Sequence, residues 1–203
     1  MHRALRSAFL GLVLCLAGCG GDPALDPLPP GARILAFGDS LTRGTGAAPG
    51  SGYPEALARL TGLEVVNAGI PGEVSAEGRA RLPALLAEHR PDLVVLVHGG
   101  NDILRNMPAA RTRENLVAMI EGIRGTGAQV VMLGVPGRNL TLSAPAWYGE
   151  VAEAAGVPID VEVLPSLMRD RSVKSDQVHF NARGYRLMAE GVRDLLAEAG
   201  ALP

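Results

Sequence analysis

Lysine is nearly missing from this chain: Lys174 is the only one among 203 residues. With 19 basic residues against 21 acidic ones and a formal charge of −2, there is no lysine-rich face to grip a phosphate backbone, and nucleic acid is excluded as a partner. Cysteine is almost as scarce. Cys15 and Cys19 both stand near the start, so a chain processed at Cys19 has no pair left for an internal disulfide. Four histidines are too few for the His-rich motifs that usually mark metal sites. No apolar run approaches the roughly 20 residues of a membrane-spanning helix; Ala8–Ala17 is too short. A G-x-S-x-G elbow is lacking at Ser40, which is followed by Leu41-Thr42. No internal repeat or second domain can be read.

What is present begins with a signal sequence over residues 1–18, in which His2, Arg3 and Arg6 precede the apolar run. Its end, Leu16-Ala17-Gly18-Cys19, resembles the bacterial lipobox, which implies a diacylglyceryl anchor on Cys19, a bacterial cell-envelope location and contact with a membrane through that lipid. Gly20 stands where an aspartate would hold such a protein at the inner membrane. Residues 19–31, rich in Pro and Gly, read as a semi-rigid tether to a single domain over 32–203.

From Ala32 onward, short apolar runs alternate with longer amphipathic stretches, the pattern of βα units. Strands are expected over 32–38, 63–68, 92–98, 129–135 and 159–164, mostly as continuous apolar runs suited to parallel strands covered on both faces. Helices are expected over 53–60, 75–90, 111–124, 144–155 and 181–199. The last carries Tyr185, Met188, Val192, Leu195 and Leu196 on one stripe. The fold class is therefore α/β, a flavodoxin-like three-layer α/β/α sandwich around a five-stranded parallel sheet, with ligands expected at the carboxyl ends of the strands.

Four blocks fall at that end. Ser40 stands two residues beyond the first strand, where a hydroxyl serves either as a nucleophile or as a turn cap. Asn67–Gly72 is a glycine-rich turn able to expose N–H groups. Gly99-Gly100-Asn101-Asp102 brings a side-chain amide to the end of the third strand. Asp176 and His179, three apart before the last helix, make a base and its orienter if one ring nitrogen meets Asp176 and the other faces Ser40. His98, ending the third strand, is an alternative base. The segment from Gly137 to Trp147 is expected over the pocket, with Trp147 and Tyr148 left open between pocket and packing roles.

Gly38-Asp39-Ser40-Leu41, the Gly69–Gly72 turn, Gly99-x-Asn101-Asp102 and Asp176-x-x-His179 together resemble, in order, the SGNH (GDSL) hydrolase family. The stretch ARLPALLAEHRPDLVVLVHGGND is similar to its bacterial periplasmic thioesterase/lysophospholipase/arylesterase branch. The resemblance implies Ser40 as nucleophile, His179 as general base, Asp176 as its partner, and an oxyanion hole from the N–H groups of Ser40 and Gly72 with the Asn101 side chain. It implies no metal and no cofactor, and small carboxylic esters, lysophospholipids or acyl thioesters as substrates. Three positions depart from the branch: Phe180 follows His179 where Pro is common, Glu73-Val74 follows Gly72, and His98 replaces an apolar residue.

A serine hydroxyl attacks an ester carbonyl only when a neutral imidazole takes its proton, and fixed donors must then hold the oxyanion. Rival readings are a carbohydrate O-deacetylase of the same family, a metal-dependent phosphoesterase gathering Asp39, Asp102, Asp176, His98 and His179, and a non-catalytic ligand-binding lipoprotein. The glycines over 46–52 match a short-chain dehydrogenase fingerprint by letter, but they lie too far beyond the strand. Oligomeric state is not legible.

Overall fold

The computed structural model describes residues 24–203. The signal sequence and Cys19 lie outside the described residues. Five strands, β1 (Arg33–Gly38), β2 (Glu64–Gly69), β3 (Leu93–Val97), β4 (Gln129–Leu133) and β5 (Ile159–Asp160), form one parallel sheet in the order β2-β1-β3-β4-β5. The central strands β1 and β3 read ILAFG and LVVLV, and every one of those side chains is buried, as the unbroken apolar runs require.

Right-handed crossovers then place the helices. The chain steps one way from β1 to β2 through α2 (Tyr53–Thr61). It steps the other way through α3 (Ser75–His89), α5 (Ala109–Arg124) and α6 (Trp147–Ala155). Hence α2 packs with α8 (Ala182–Glu198) on one face, and α3, α5 and α6 pack side by side on the other. The direction reverses between β1 and β3, and a crevice opens there at the carboxyl ends. The stripe expected on the last helix is realised: Tyr185, Met188, Val192, Leu195 and Leu196 are all buried. Among the described residues no helix is long and apolar enough to cross a membrane.

Three departures from the expected elements have local causes. The fifth strand stops at Asp160, not Leu164, because Asp160 Oδ1 accepts from the N–H groups of Glu162 and Val163 at 2.7 Å each; the chain turns into α7 (Val163–Arg169). The helix expected from Ala144 starts at Trp147, with Ala146 as its N-cap, in keeping with the bias of a proline such as Pro145 against helical geometry in the residue before it. The tether expected over 19–31 is docked along its described part: Leu25 and Leu28 pack against the core, and their N–H groups donate to Ala199 O at 2.7 Å and Ala201 O at 2.9 Å. Asp26 and Gln129 exchange two further hydrogen bonds. These contacts lie at the amino ends of the strands.

Candidate active site

Strand β1 ends at Gly38, where an added Cβ would stand 2.2 Å from Val97 O and 2.4 Å from Thr42 Oγ1, so only glycine lets the chain turn there. Asp39 then caps α1 (Ser40–Arg43), its Oδ1 accepting from Leu41 N–H at 3.1 Å. Ser40 thereby becomes the first residue of a one-turn helix, with its side chain at the crevice.

The loop before α8 closes on it. Lys174 and Phe180 pair as a bridge, and Ser175 N–H donates to His179 O at 3.0 Å. Phe180, where the branch commonly has proline, is fully buried edge-on against Tyr185, and the Tyr185 hydroxyl donates to Thr45 O at 2.6 Å. The loop bearing His179 is thus fastened to the turn that follows Ser40. His179 Nε2 stands 3.0 Å from Ser40 Oγ, and His179 Nδ1 stands 2.8 Å from Asp176 Oδ2. The carboxylate fixes the proton on Nδ1, which leaves Nε2 free to accept from the serine hydroxyl. Desolvation raises the Asp176 carboxyl, but the bonds it accepts from the His179 ring and from the N–H groups of Val178 and His179 outweigh that and hold it at about 2.

The second block supplies an N–H. Gly72 has φ +80° and lines the crevice, its carbonyl is held by Arg105 Nη2 at 2.7 Å, and its N–H has no acceptor among the described residues. The Ser40 N–H is likewise without an acceptor among the described residues. Gly69 N–H, by contrast, is engaged by Asn67 Oδ1 at 3.1 Å. Asn101, on the short helix α4 (Gly100–Leu104), places Nδ2 at 3.0 Å from both Asp39 Oδ2 and Glu73 O. Two acceptors on that side assign the nitrogen rather than the oxygen to it.

Sequence reasoning weighed Asp39 only as a metal ligand in a rival reading, although it holds both the serine turn and Asn101. Burial pushes its carboxyl above the usual range, and the Leu41 N–H bond only partly draws it back. The Gly-Asp pair before the serine was the available signal. Asp102 is structural: it accepts from Ser75 N at 2.8 Å, Ser75 Oγ at 2.6 Å and Thr112 Oγ1 at 3.2 Å.

His98 does not serve as a second base. Its side chain is fully buried, Nε2 meets Glu73 Oε2 at 3.0 Å, and Nδ1 accepts from Gly99 N–H at 3.0 Å, so no nitrogen faces Ser40. The five residues weighed as metal ligands are divided among separate hydrogen-bond networks, and among the described residues no group of three or more His, Cys, Asp or Glu is placed to hold a metal ion.

The crevice is a cavity of about 330 Å³, walled mainly by Leu104, Val135, Leu142, Met168 and Val178. Of the segment expected over the pocket, Gly137 to Trp147, only Gly137, Arg138 and Leu142 line it, joined by Val135 and Pro136 just before. Trp147 and Tyr148 are packing residues: the rings stack at 3.9 Å, and the Tyr148 hydroxyl donates to His98 O at 2.7 Å.

A profile of the GDSL-like Lipase/Acylhydrolase family matches residues 36–187. The chain belongs to this family. It is 41% identical over 127 residues to "Esterase TesA" of Pseudomonas aeruginosa, a match covering 60% of this chain and 63% of that protein. It is 29% identical over 170 residues to "Thioesterase 1/protease 1/lysophospholipase L1" of Escherichia coli K12, covering 77% and 79%. A crystal structure of TesA superimposes with a TM-score of 0.74 at 31% identity, covering 82% of this chain and 99% of that one. The family blocks are the ones that meet at the crevice.

Proposed function

We propose that this family member is a serine ester hydrolase, in which Ser40 attacks an acyl carbonyl, His179 takes the hydroxyl proton and Asp176 holds the imidazole in the required tautomer. The observation that carries this reading is the unbroken Asp176–His179–Ser40 series, 2.8 Å and 3.0 Å long, opening onto an apolar cavity. As the tetrahedral intermediate forms, its oxygen takes hydrogen bonds from the N–H groups of Ser40 and Gly72 and from Asn101 Nδ2. Proton return from His179 expels the alcohol or thiol, and water activated by the same imidazole hydrolyses the acyl-enzyme.

The apolar wall suits the acyl part of a carboxylic ester, a lysophospholipid or an acyl thioester. A carbohydrate O-acetyl group would set sugar hydroxyls against it and fits less well. Initial rates over p-nitrophenyl esters of increasing acyl length, with a lysophospholipid and an acyl-CoA alongside, test the reading: turnover in the wild type and none in Ser40→Ala support it, and undiminished turnover in Ser40→Ala refutes it.

We also infer that Cys19 carries a lipid that anchors the domain at the bacterial envelope, on the strength of the Leu16-Ala17-Gly18-Cys19 motif. The docked residues from Leu25 onward would join that anchor to the end of the sheet opposite the crevice. Cys19→Ser should then appear in the soluble fraction; an unchanged membrane fraction contradicts the anchor.

A further inference from the structure

The three proposed oxyanion donors stand on three different connections, following β1, β2 and β3, and a single side-chain cluster of Arg81, Glu73 and His98, the last two buried, ties these connections together. Arg81, from α3, donates through Nη2 to Gly38 O at 3.2 Å and Ala68 O at 2.8 Å, carbonyls at the carboxyl ends of β1 and β2. The same guanidinium meets Glu73, with Nε at 2.5 Å from Oε1 and Nη2 at 2.6 Å from Oε2, and lies 4.2 Å over the Phe37 ring. His98, at the end of β3, brings Nε2 to 3.0 Å from Glu73 Oε2; because Nδ1 accepts from Gly99 N–H, the Nε2 proton is donated to the carboxylate. Glu73 follows Gly72 directly, and its backbone carbonyl is one of the two acceptors that hold Asn101 Nδ2.

Burying such a group is costly, and a buried ion pair is weak evidence for stability. Here the Glu73 side chain is 4% exposed and that of His98 is 0%. Burial raises the Glu73 carboxyl, but the bonds from His98 and Arg81 and the Arg81 charge outweigh it, leaving it below its usual value and charged. Space for the ring is specific too: an added Cβ on Gly78 would stand 2.3 Å from His98 Nε2. Glu73 and His98 are two of the positions that depart from the usual branch pattern, and they are partners 25 residues apart.

We propose that Arg81, Glu73 and His98 are positioning residues that hold the Ser40, Gly72 and Asn101 donors in register for the oxyanion. This rests on the serine-hydrolase reading above. A misplacement of about 1 Å at such a site can cost about 100-fold in rate. The full-length protein is assayed with p-nitrophenyl butyrate and inhibited with an alkyl trifluoromethyl ketone, whose hemiketal oxygen occupies the oxyanion position. Glu73→Gln and His98→Leu should each lower kcat about 10- to 100-fold with KM changed less than about threefold, and ketone affinity should fall in step with kcat/KM. His98→Gln, which retains an N–H for Glu73, should recover most of the loss. In the Asn101→Ala background, Glu73→Gln should cost less than it does in the wild type, since one of the three donors it positions is already gone. Folded variants with wild-type kcat, or losses that multiply in full in the double variant, overturn the proposal. A wild type with neither ester turnover nor fluorophosphonate labelling of Ser40 would instead overturn the serine-hydrolase reading.

Discussion

At the amino ends of the strands, the chain closes the sheet with Leu25, Leu28 and backbone hydrogen bonds to Ala199 and Ala201, whereas at the carboxyl ends it buries Asp39, Glu73, His98 and Asp102. The first end gains stability from apolar area removed from water. The second spends buried charge to hold donors, a hydroxyl and an imidazole in one geometry, and most of its polar groups are hydrogen-bonded to one another. The difference locates function at the end whose composition is hardest to justify by stability alone.

Substitutions at the two ends should therefore have opposite signatures. Largest is Ser40→Ala, which should reduce p-nitrophenyl ester turnover by about 10⁴-fold or more while leaving Tm nearly unchanged; a matched fall in Tm would blur the contrast. Asp176→Asn should follow at about 10²- to 10⁴-fold in kcat, through loss of the correct imidazole tautomer. Asn101→Ala should lower kcat about 10²- to 10³-fold with a smaller change in KM. At the opposite end, Leu28→Ala should cost about 1–2 kcal/mol in chemical denaturation, the partly buried share of a leucine deletion, and leave kcat unaltered.

The smallest effect concerns pH. The folded pKa of Asp176, lowered to about 2, lies below the usual carboxylate value of about 3.9, so its contribution to stability is present above that value and lost as pH falls through about 2. Denaturation of wild type and Asp176→Asn followed from pH 6 downward should converge near pH 2; a constant difference would sever the link.

Three of the four blocks were legible because each follows a strand, and Asp176-x-x-His179 because it stands just before the long last helix; β1, β3 and β4 announce themselves as runs of buried apolar residues. What was not legible depended on neighbours distant in sequence. The Glu73–His98 contact exists only because β2 and β3 flank β1, so His98 read alone resembled a spare base. The helices α1, α4 and α7 are too short to show periodicity and are set by Asp39, Gly99 and Asp160 at their starts. The docking of Leu25 and Leu28 was hidden by the prolines around them, which read as a spacer until the sheet's amino end was there to receive them.

The central claim is that Ser40 is the group activated by His179. Treating the protein with a fluorophosphonate and digesting it for mass spectrometry tests this most directly. The account predicts one adduct, on the peptide containing Ser40, lost in His179→Ala although that variant remains folded. An adduct on another residue, or full ester turnover by protein that carries none on Ser40, would contradict it.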